Sequence, residues 1–387
     1  MKPKRLKAAR VGLVVIAGAL AMIFIASPLP AQKPDPLFPP DRSEDYPRQV
    51  WSRVFPANLT GAAVARKTGA VAASTADKVY YFTDSATPVW TAGEDWKSVD
   101  SLGINGSGDR VLFQTDVKPR KSTEAMNYTL RLYDGEGAEM WAKPNPGRYQ
   151  RAMLSPSGKH ILIGEHWHPG VSLYDDNLNL LWKKSIQFWS LAFDPLERFL
   201  FDGEGGQLYS IEGERVWDFG AGARILSVSD NAEFVLTRYY KTARGGQRIF
   251  LTSRTALKRV ELEGTGGAVS PDGSLTAYVN LDKKLVIYRT RELLESGPGD
   301  LPPLFETGFI RPWVIQLARD NRSLFVMGEE SARRSVMMLV DLARMKTAWK
   351  KSVAADLRVA LPDENNRRVV LQTSDKTLVK FECYPGD

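Results

Sequence analysis

Length, composition and charge already exclude several classes of protein. The chain has 387 residues, of which 43% are hydrophobic and 25% are charged, a composition typical of a folded globular protein with a large core. Five of the seven net positive charges lie within residues 1–10, so the rest of the chain carries only about +2, which argues against a nucleic-acid partner. The single cysteine, Cys383, excludes an internal disulfide and a cysteine-rich metal site.

The N-terminus has the pattern of a membrane-targeting segment. Residues 1–10 form a basic region, and residues 11–31 carry no charge. Such a segment is either a cleaved signal peptide or a retained signal anchor. A cut after Ala31 would place Leu29 where a small residue is needed, which favours the anchor. We therefore predict an N-terminal apolar membrane helix.

The charge pattern also predicts the orientation of the chain. Basic residues precede the apolar run, so residues 1–10 should stay in the cytoplasm while the rest is exported. No cysteine follows the run to accept a lipid, and residues 32–48, rich in proline and charge, predict a semi-rigid linker. We expect a single-pass protein of the inner (cytoplasmic) membrane with residues 49–387 in the periplasm or extracytoplasmic space. Cleavage would instead give a secreted or periplasmic protein.

A repeated turn organises residues 49–387. It joins two apolar strands and occurs at residues 105–108, 155–158, 194–197, 229–232, 270–273, 319–322 and 362–365. Its Pro, Asp, Asn and Gly residues preset turn dihedrals and supply local hydrogen bonds. A third strand then ends near a Tyr-Asp pair such as Tyr133-Asp134, and a fourth strand is built around a tryptophan. The repeating unit therefore has four strands.

The fourth-strand position gives the period of the repeat. It is occupied in turn by Trp90, Trp141, Trp182, Trp217, Val260, Phe305 and Trp349. Successive positions are 35 to 51 residues apart, which brackets the four-stranded blade of a β-propeller. A helical solenoid is excluded because no unit has room for two periodic helices.

Counting the units predicts an all-β protein, an eight-bladed β-propeller of four-stranded antiparallel blades. The last unit, residues 356–381, lacks a tryptophan strand, and residues 50–55 around Trp51 supply an extra one before the first unit. Pairing of this N-terminal strand into the last blade would close the ring and leave no open sheet edge. Seven blades is the alternative if residues 60–90 do not form a blade.

The repeat resembles that of the quinoprotein-like (PQQ-repeat, WD40-like) β-propeller superfamily. The resemblance rests on Leu-Tyr-Asp, a glycine-containing turn and tryptophan in residues 132–141, and on residues 208–217 with Ser in place of Asp. It implies a fold more than a function, because the superfamily contains quinone-dependent dehydrogenases and non-catalytic members such as a lipoprotein of outer-membrane assembly. The single cysteine departs from both, since it can form neither a vicinal cysteine pair nor a lipidation site, and we expect a non-catalytic member.

Motifs for catalysis and metal binding are scarce. Glu165, His166 and His168 form a weak metal candidate, because an extended His-x-His segment places both imidazoles on one side. No second histidine cluster supports it, so an exposed aromatic loop is the favoured interpretation and we predict no metal and no cofactor. The chain contains no nucleophile elbow, zinc-protease helix or phosphate-binding loop, and we expect no enzymatic activity.

Loop lengths indicate where a partner would bind. Loops between the second and third strands and loops between blades share one face of a propeller, and four of the former, at residues 116–129, 164–170, 239–248 and 328–335, are long. Aromatic residues and arginine, the types enriched at interface hot spots, concentrate there. The predicted binding face contains Trp96, Lys118, Arg120, Tyr149, Trp167, Trp189, Tyr239, Tyr240, Arg244, Arg248, Arg311, Trp313, Arg333 and Arg334.

These features favour a protein-binding scaffold or sensor of the cell envelope. Its partner would be an envelope protein or an anionic envelope polymer, with the membrane contacted only by the N-terminal helix. Two alternatives use the central channel: a quinone- or metal-dependent oxidoreductase or lyase, and a receptor domain for a small ligand. A quinone absorption band or stoichiometric metal would indicate the enzyme, whereas a ligand-dependent rise in melting temperature would indicate the receptor.

Overall fold

The computed structural model of the chain describes residues 46–385, apart from residues 94–95, 118–126, 145–149, 166–169, 187–190, 203–204, 221, 240–247, 332–333 and 354–358. The basic region, the membrane helix and nearly all of the linker that the sequence predicts therefore lie outside the described residues. In the described part, no helix has the length and apolar character needed to cross a membrane.

The strands follow each other in chain order as four-stranded groups. The N-terminal strand is β1 (Arg48–Val54). Blade 1 contains β2 (Leu59–Val64), β3 (Val71–Thr75), β4 (Val79–Phe82) and β5 (Trp90–Ala92). Blade 2 contains β6 (Trp96–Ile104), β7 (Arg110–Val117), β8 (Asn127–Asp134) and β9 (Glu139–Pro144). Blade 3 contains β10 (Gln150–Leu154), β11 (His160–Glu165), β12 (Val171–Asp175) and β13 (Leu180–Lys184). Blade 4 contains β14 (Leu191–Phe193), β15 (Phe199–Asp202), β16 (Gln207–Ser210) and β17 (Arg215–Asp218).

The second half repeats the pattern with one helical insertion. Blade 5 contains β18 (Ala223–Val228), β19 (Phe234–Tyr239), β20 (Arg248–Ser253) and β21 (Lys258–Leu262). Blade 6 contains β22 (Gly264–Val269), β23 (Leu275–Asn280), β24 (Lys284–Arg289), α1 (Thr290–Ser296) and β25 (Phe305–Gly308). Blade 7 contains β26 (Arg311–Leu317), β27 (Ser323–Ser331), β28 (Arg334–Asp341) and β29 (Lys346–Val353). Blade 8 contains β30 (Val359–Pro362), β31 (Arg368–Ser374) and β32 (Thr377–Glu382).

The ring closes through the N-terminal strand, as the sequence predicted. Every sheet has four antiparallel strands, and the sheet of blade 8 has the order β1-β32-β31-β30. Strand β1 pairs with β32 from Arg48 opposite Glu382 to Val54 opposite Thr377. Residues 59–92 form a complete blade, so the eight-bladed count is confirmed and the seven-bladed alternative is wrong.

The first turns of six blades have the same construction, whereas blades 1 and 7 have Ala65 and Ala318 at the equivalent position. The first side chain of the turn is buried and accepts the backbone N–H five residues later, as Ser270 Oγ does from Leu275 at 2.9 Å. Asn105, Ser155, Asp194, Ser229 and Asp363 do the same in their blades. The fourth position of the turn has positive φ, which suits glycine at Gly273, where φ is 76°.

The tryptophans of the fourth strands join neighbouring blades. Three indole Nε1 groups donate to a backbone carbonyl of the next blade, from Trp141 to Asp176, from Trp182 to Ile211 and from Trp349 to Cys383, at 2.8 to 2.9 Å. Each indole thus buries apolar area while its polar atom keeps a partner. The tryptophans therefore connect neighbouring blades at these three junctions.

Where the repeat lacks tryptophan, other side chains fill the junction. Between blades 5 and 6, Leu293 of α1 is fully buried and packs in a cluster that includes Val260. Between blades 6 and 7, the buried residues Phe305 and Phe309 take the same role. Among the described residues, an apolar cluster lies at each junction except that of blades 4 and 5.

The turn of blade 8 leads to a pH-dependent prediction. Burial raises the pKa of Asp363 to about 6, although the backbone N–H groups of Arg367 and Arg368 donate to its carboxylate. Because the folded-state pKa lies above the usual unfolded value, this residue favours folding below about pH 4 and loses that contribution as the pH rises through about 6. Asn105 occupies the equivalent position in blade 2 and makes the turn without a charge.

We therefore expect Asp363→Asn to raise the free energy of unfolding by about 1 kcal/mol at about pH 8 and not at about pH 4. Urea unfolding of the two proteins at both pH values measures the difference. Asp282→Asn, at an exposed loop position, is the control and should change nothing. An equal effect of D363N at both pH values would contradict the prediction.

Candidate functional site

The connections between strands lie on two faces of the ring. In a four-stranded antiparallel blade, the first-to-second and third-to-fourth connections share the turn face, and the second-to-third and blade-to-blade connections share the loop face. The described strands leave the predicted long loops after Val117, Glu165 and Tyr239. The predicted long loop at residues 328–335 is wrong, because β27 and β28 extend into it and pair up to Ser331 opposite Arg334.

Many residues of the predicted binding face lie outside the described part of the chain. This holds for Lys118, Arg120, Tyr149, Trp167, Trp189, Tyr240, Arg244 and Arg333, and for the side chain of Arg334. The side chain of Glu165 and all of His166 and His168, the metal candidate, are likewise outside it. Among the described residues, no group of three or more His, Cys, Asp or Glu side chains is arranged to hold a metal ion.

Three described residues of this set pack within their own blades. Trp96 is half-buried in β6 and packs against Phe113 with the rings tilted and their centroids 5.5 Å apart. Tyr239 is half-buried, packs edge-on against Phe250 and donates from its hydroxyl to the Phe219 carbonyl. Arg248 pairs with Glu261 at 2.8 Å. The sequence shows that these side chains are aromatic or basic. It does not show that they pack against other residues of the propeller.

Arg311 and Trp313 lie together at the loop-face end of the innermost strand of blade 7. Both side chains are exposed, and Trp313 has 39% of its surface accessible. The register of β26 against β27 shifts between Pro312 and Val314, so Trp313 is the extra residue of a β-bulge. A bulge turns a side chain away from the regular alternation of a strand. This bulge leaves Trp313 on the wall of a cavity at the loop-face end of the channel.

That cavity, here called the loop-end cavity, lies between the inner parts of blades 5 to 7. Its volume is about 330 Å³, and it is lined by Leu226, Arg238, Thr265, Gly266, Gly267, Pro312, Trp313, Val314 and Ile315. Arg238 Nη1 donates to the Thr265 carbonyl at 3.2 Å. The sequence analysis missed Arg238 and Thr265. A usable signal was the run from Gly264 to Gly267, which interrupts an otherwise apolar inner strand.

The turn-face end of the channel has different chemistry. A second cavity of about 230 Å³ contains Asp194, Asp230, Glu364, Arg66 and Arg319 on its wall. Arg319 of blade 7 pairs with Asp230 of blade 5 at 2.7 Å, and burial raises the pKa of Asp230. The Asp194 carboxylate is engaged by backbone N–H groups of its own turn. Asp194, Asp230 and Arg319 are therefore engaged by a turn or by each other, which favours a structural role for these three residues.

Comparison with known proteins shows the fold and no more. No protein-family model matches the chain, and no curated protein matches it in sequence. The crystal structure of BamB from Moraxella catarrhalis superposes with a TM-score of 0.55 at 14% identity, covering 88% of this chain and 98% of that one. The structure of the Dos1 propeller superposes with a TM-score of 0.57 at 10% identity, covering 88% and 96%.

A third similar structure is of a different kind of protein. A crystal structure described as the eukaryotic initiation factor superposes with a TM-score of 0.53 at 12% identity, covering 85% of each chain. In total 1085 chains of solved structures match, so the architecture is widely shared. Proteins of such different kinds share a fold without sharing a function. The function of this chain must therefore be argued from its own site.

Proposed function

We propose that this protein is a non-enzymatic, protein-binding scaffold or sensor, tethered to the cytoplasmic membrane, with its propeller on the extracytoplasmic side. Its loop face binds an envelope protein or an anionic envelope polymer. Membership of a non-catalytic branch of the quinoprotein-like superfamily is part of the proposal and rests on the repeat described above.

The exposed pair Arg311 and Trp313 is the observation that carries the proposal. Trp313 has 39% of its surface accessible and lies in a β-bulge. The strand pairs regularly after the bulge, from Val314 to Leu317, so the indole is a rigid apolar anchor. Arginine beside it offers directed hydrogen bonds to carbonyl or carboxylate groups of a partner. Tryptophan and arginine dominate the binding energy of protein interfaces because they bury a large area at a small entropy cost.

The proposal predicts that partner binding depends on the loop face. We expect Trp313→Ala and Arg311→Glu each to weaken capture of the physiological partner by about 1 to 4 kcal/mol. The partner is first identified by cross-linking in intact membranes, and its dissociation constant is then measured with purified wild-type and variant protein. Unchanged melting temperatures of the variants would show that the fold is intact.

Two changes on the opposite face are matched controls. Leu196 is 46% exposed on the first turn of blade 4, and Lys159 is exposed on the first turn of blade 3. Leu196→Ala and Lys159→Glu should leave the affinity unchanged. Loss of binding in these two variants, together with full binding by the loop-face variants, would place the interface on the turn face and refute the proposal.

Membrane tethering is tested separately. Because Leu29 is a poor residue for signal cleavage after Ala31, we expect the full chain to remain in the membrane pellet after carbonate extraction. N-terminal sequencing of the cell-derived protein should find the apolar segment still attached. A soluble protein that begins at Gln32 would show that the segment is a cleaved signal peptide.

A further inference from the structure

Three neighbouring blades have a β-bulge in their innermost strand, as β2 and β6 of blades 1 and 2 also do. The register of β18 shifts between Ile225 and Ser227, and that of β22 shifts between Gly264 and Gly266. With the bulge in β26, the extra residues of the three strands are Leu226, Thr265 and Trp313. All three line the loop-end cavity. Bulges of this kind recur beside binding sites, where they redirect a side chain.

The glycines of β22 keep this cavity open. A Cβ atom at Gly266 would come within 3.2 Å of Pro312 Cγ on the cavity wall, so a side chain there would reduce the space between blades 6 and 7. At Gly267 a Cβ atom would come within 2.6 Å of the Ala277 carbonyl oxygen, which the sheet cannot accommodate. The inner strand therefore leaves space that a regular alternation of side chains would fill.

The walls of the cavity combine one cation with apolar surface. Arg238 is fixed by its hydrogen bond to the Thr265 carbonyl, and a guanidinium carries five N–H donors in a planar fork. Thr265 Oγ1 is buried and has no hydrogen-bond partner among the described residues. Trp313, Pro312 and Leu226 supply the apolar part. Arginine beside an indole fits a carboxylate that is attached to an apolar group.

We propose that the loop-end cavity binds a carboxylate carried on an apolar group, with the C-terminus of a partner chain that ends in a large apolar residue as the expected source. Leu226 and Ile315 line both cavities, so the loop-end cavity ends at these two side chains. A chain end fits a cavity that ends in this way better than a continuous loop does. This inference rests on the proposed function, because it assigns chemistry to the same face.

Small defined probes test the chemistry without a partner. The first pair is N-acetyl-phenylalanine and its amide, and the second is a hexapeptide ending in phenylalanine with a free or an amidated C-terminus. Binding to the purified propeller is followed by ligand-observed NMR. We expect amidation to weaken binding about tenfold or more, because it removes the charge that pairs with Arg238.

Variants of the cavity wall locate the binding. Arg238→Met should weaken binding of the free acid about tenfold while leaving the amide unchanged, and Arg238→Lys should restore part of the affinity. Trp313→Ala should weaken both forms because it removes apolar area. Arg215→Met and Leu257→Ala, at exposed positions of blades 4 and 5, are the controls and should bind like the wild type. Melting temperatures verify folding of each variant.

The binding data distinguish a chain end from a small organic acid as the ligand. A peptide that binds more tightly than N-acetyl-phenylalanine assigns the site to a chain end, and equal affinities assign it to a small organic acid. Equal affinity for acid and amide, or full binding by both Arg238 variants, overturns the proposal. If the probes bind but Trp313→Ala leaves partner capture intact, the proposed function fails and this inference stands. If capture needs Trp313 and no probe binds at millimolar concentration, only this inference fails.

Discussion

Removal of β1 is expected to destabilise the whole propeller and not only its last blade. A protein that begins at Thr60 should lose more than about 5 kcal/mol of unfolding free energy relative to one that begins at Tyr46, which is comparable to the total stability of many domains. The reason is that β1 contributes both the fourth strand of blade 8 and part of the junction with blade 1.

Two aromatic side chains account for much of this effect. Trp51 and Phe55 are 5% and 2% exposed, and both pack against Phe82 of blade 1. Loss of a buried aromatic side chain costs about 3 to 5 kcal/mol. Arg53 adds a hydrogen bond from its guanidinium to the Ala86 carbonyl at 2.7 Å. Deletion would also expose the edge of β32, which could then pair with another molecule.

Thermal and urea unfolding, with light scattering for aggregation, measure the result. If the shortened protein does not accumulate, Trp51→Ala in the longer protein gives the same information with an expected loss of about 3 to 5 kcal/mol. Arg48→Ala is the control, because its ion pair with Glu382 is solvent-exposed and contributes little. Equal stability of the proteins beginning at Tyr46 and Thr60 would show that β1 does not close the ring.

Repetition made the fold predictable from the sequence. A single Ser-Pro-Asp-Gly turn is weak evidence, but seven variants of one turn, followed by a fourth strand at a regular spacing, specify one architecture. Turns that depart from this sequence keep the same backbone conformation. Glu197 and Ala232 occupy the position at which other blades have glycine, and both have positive φ, at 57° and 52°. The ring geometry therefore determines the turn even where the local residue does not favour it.

The candidate site was predictable only in part, because its decisive features are irregularities. The bulges at Leu226, Thr265 and Trp313 depend on how two strands pair, and register is a property of tertiary structure. Arg238 lies in the second strand of blade 5, and the sequence analysis did not identify it as a candidate. For Tyr239 and Arg248, residue type predicted a place on the binding face, and the structure shows in addition that each contacts a residue of its own blade.

Trp349→Ala is the second substitution from which we expect a large loss of stability, and Trp217 of the same chain serves as its comparison. Trp349 is 6% exposed, packs among residues of blades 7 and 8, and donates from Nε1 to the Cys383 carbonyl at 2.8 Å. Trp217 occupies the equivalent strand of blade 4 but is half-buried, and its indole Nε1 donates no hydrogen bond to a described residue. We expect Trp349→Ala to cost about 3 to 5 kcal/mol, because it opens a cavity at the junction of two blades.

The same change at the weaker junction is the matched control. Trp217→Ala should cost about 1 to 2 kcal/mol, because less of its surface is buried. Phenylalanine separates packing from hydrogen bonding: Trp349→Phe should lose about 1 to 2 kcal/mol with the carbonyl of Cys383 left unpaired, whereas Trp217→Phe should be nearly neutral. Urea unfolding of the four variants measures these differences. Equal losses at both positions would show that the indole hydrogen bond does not join the blades.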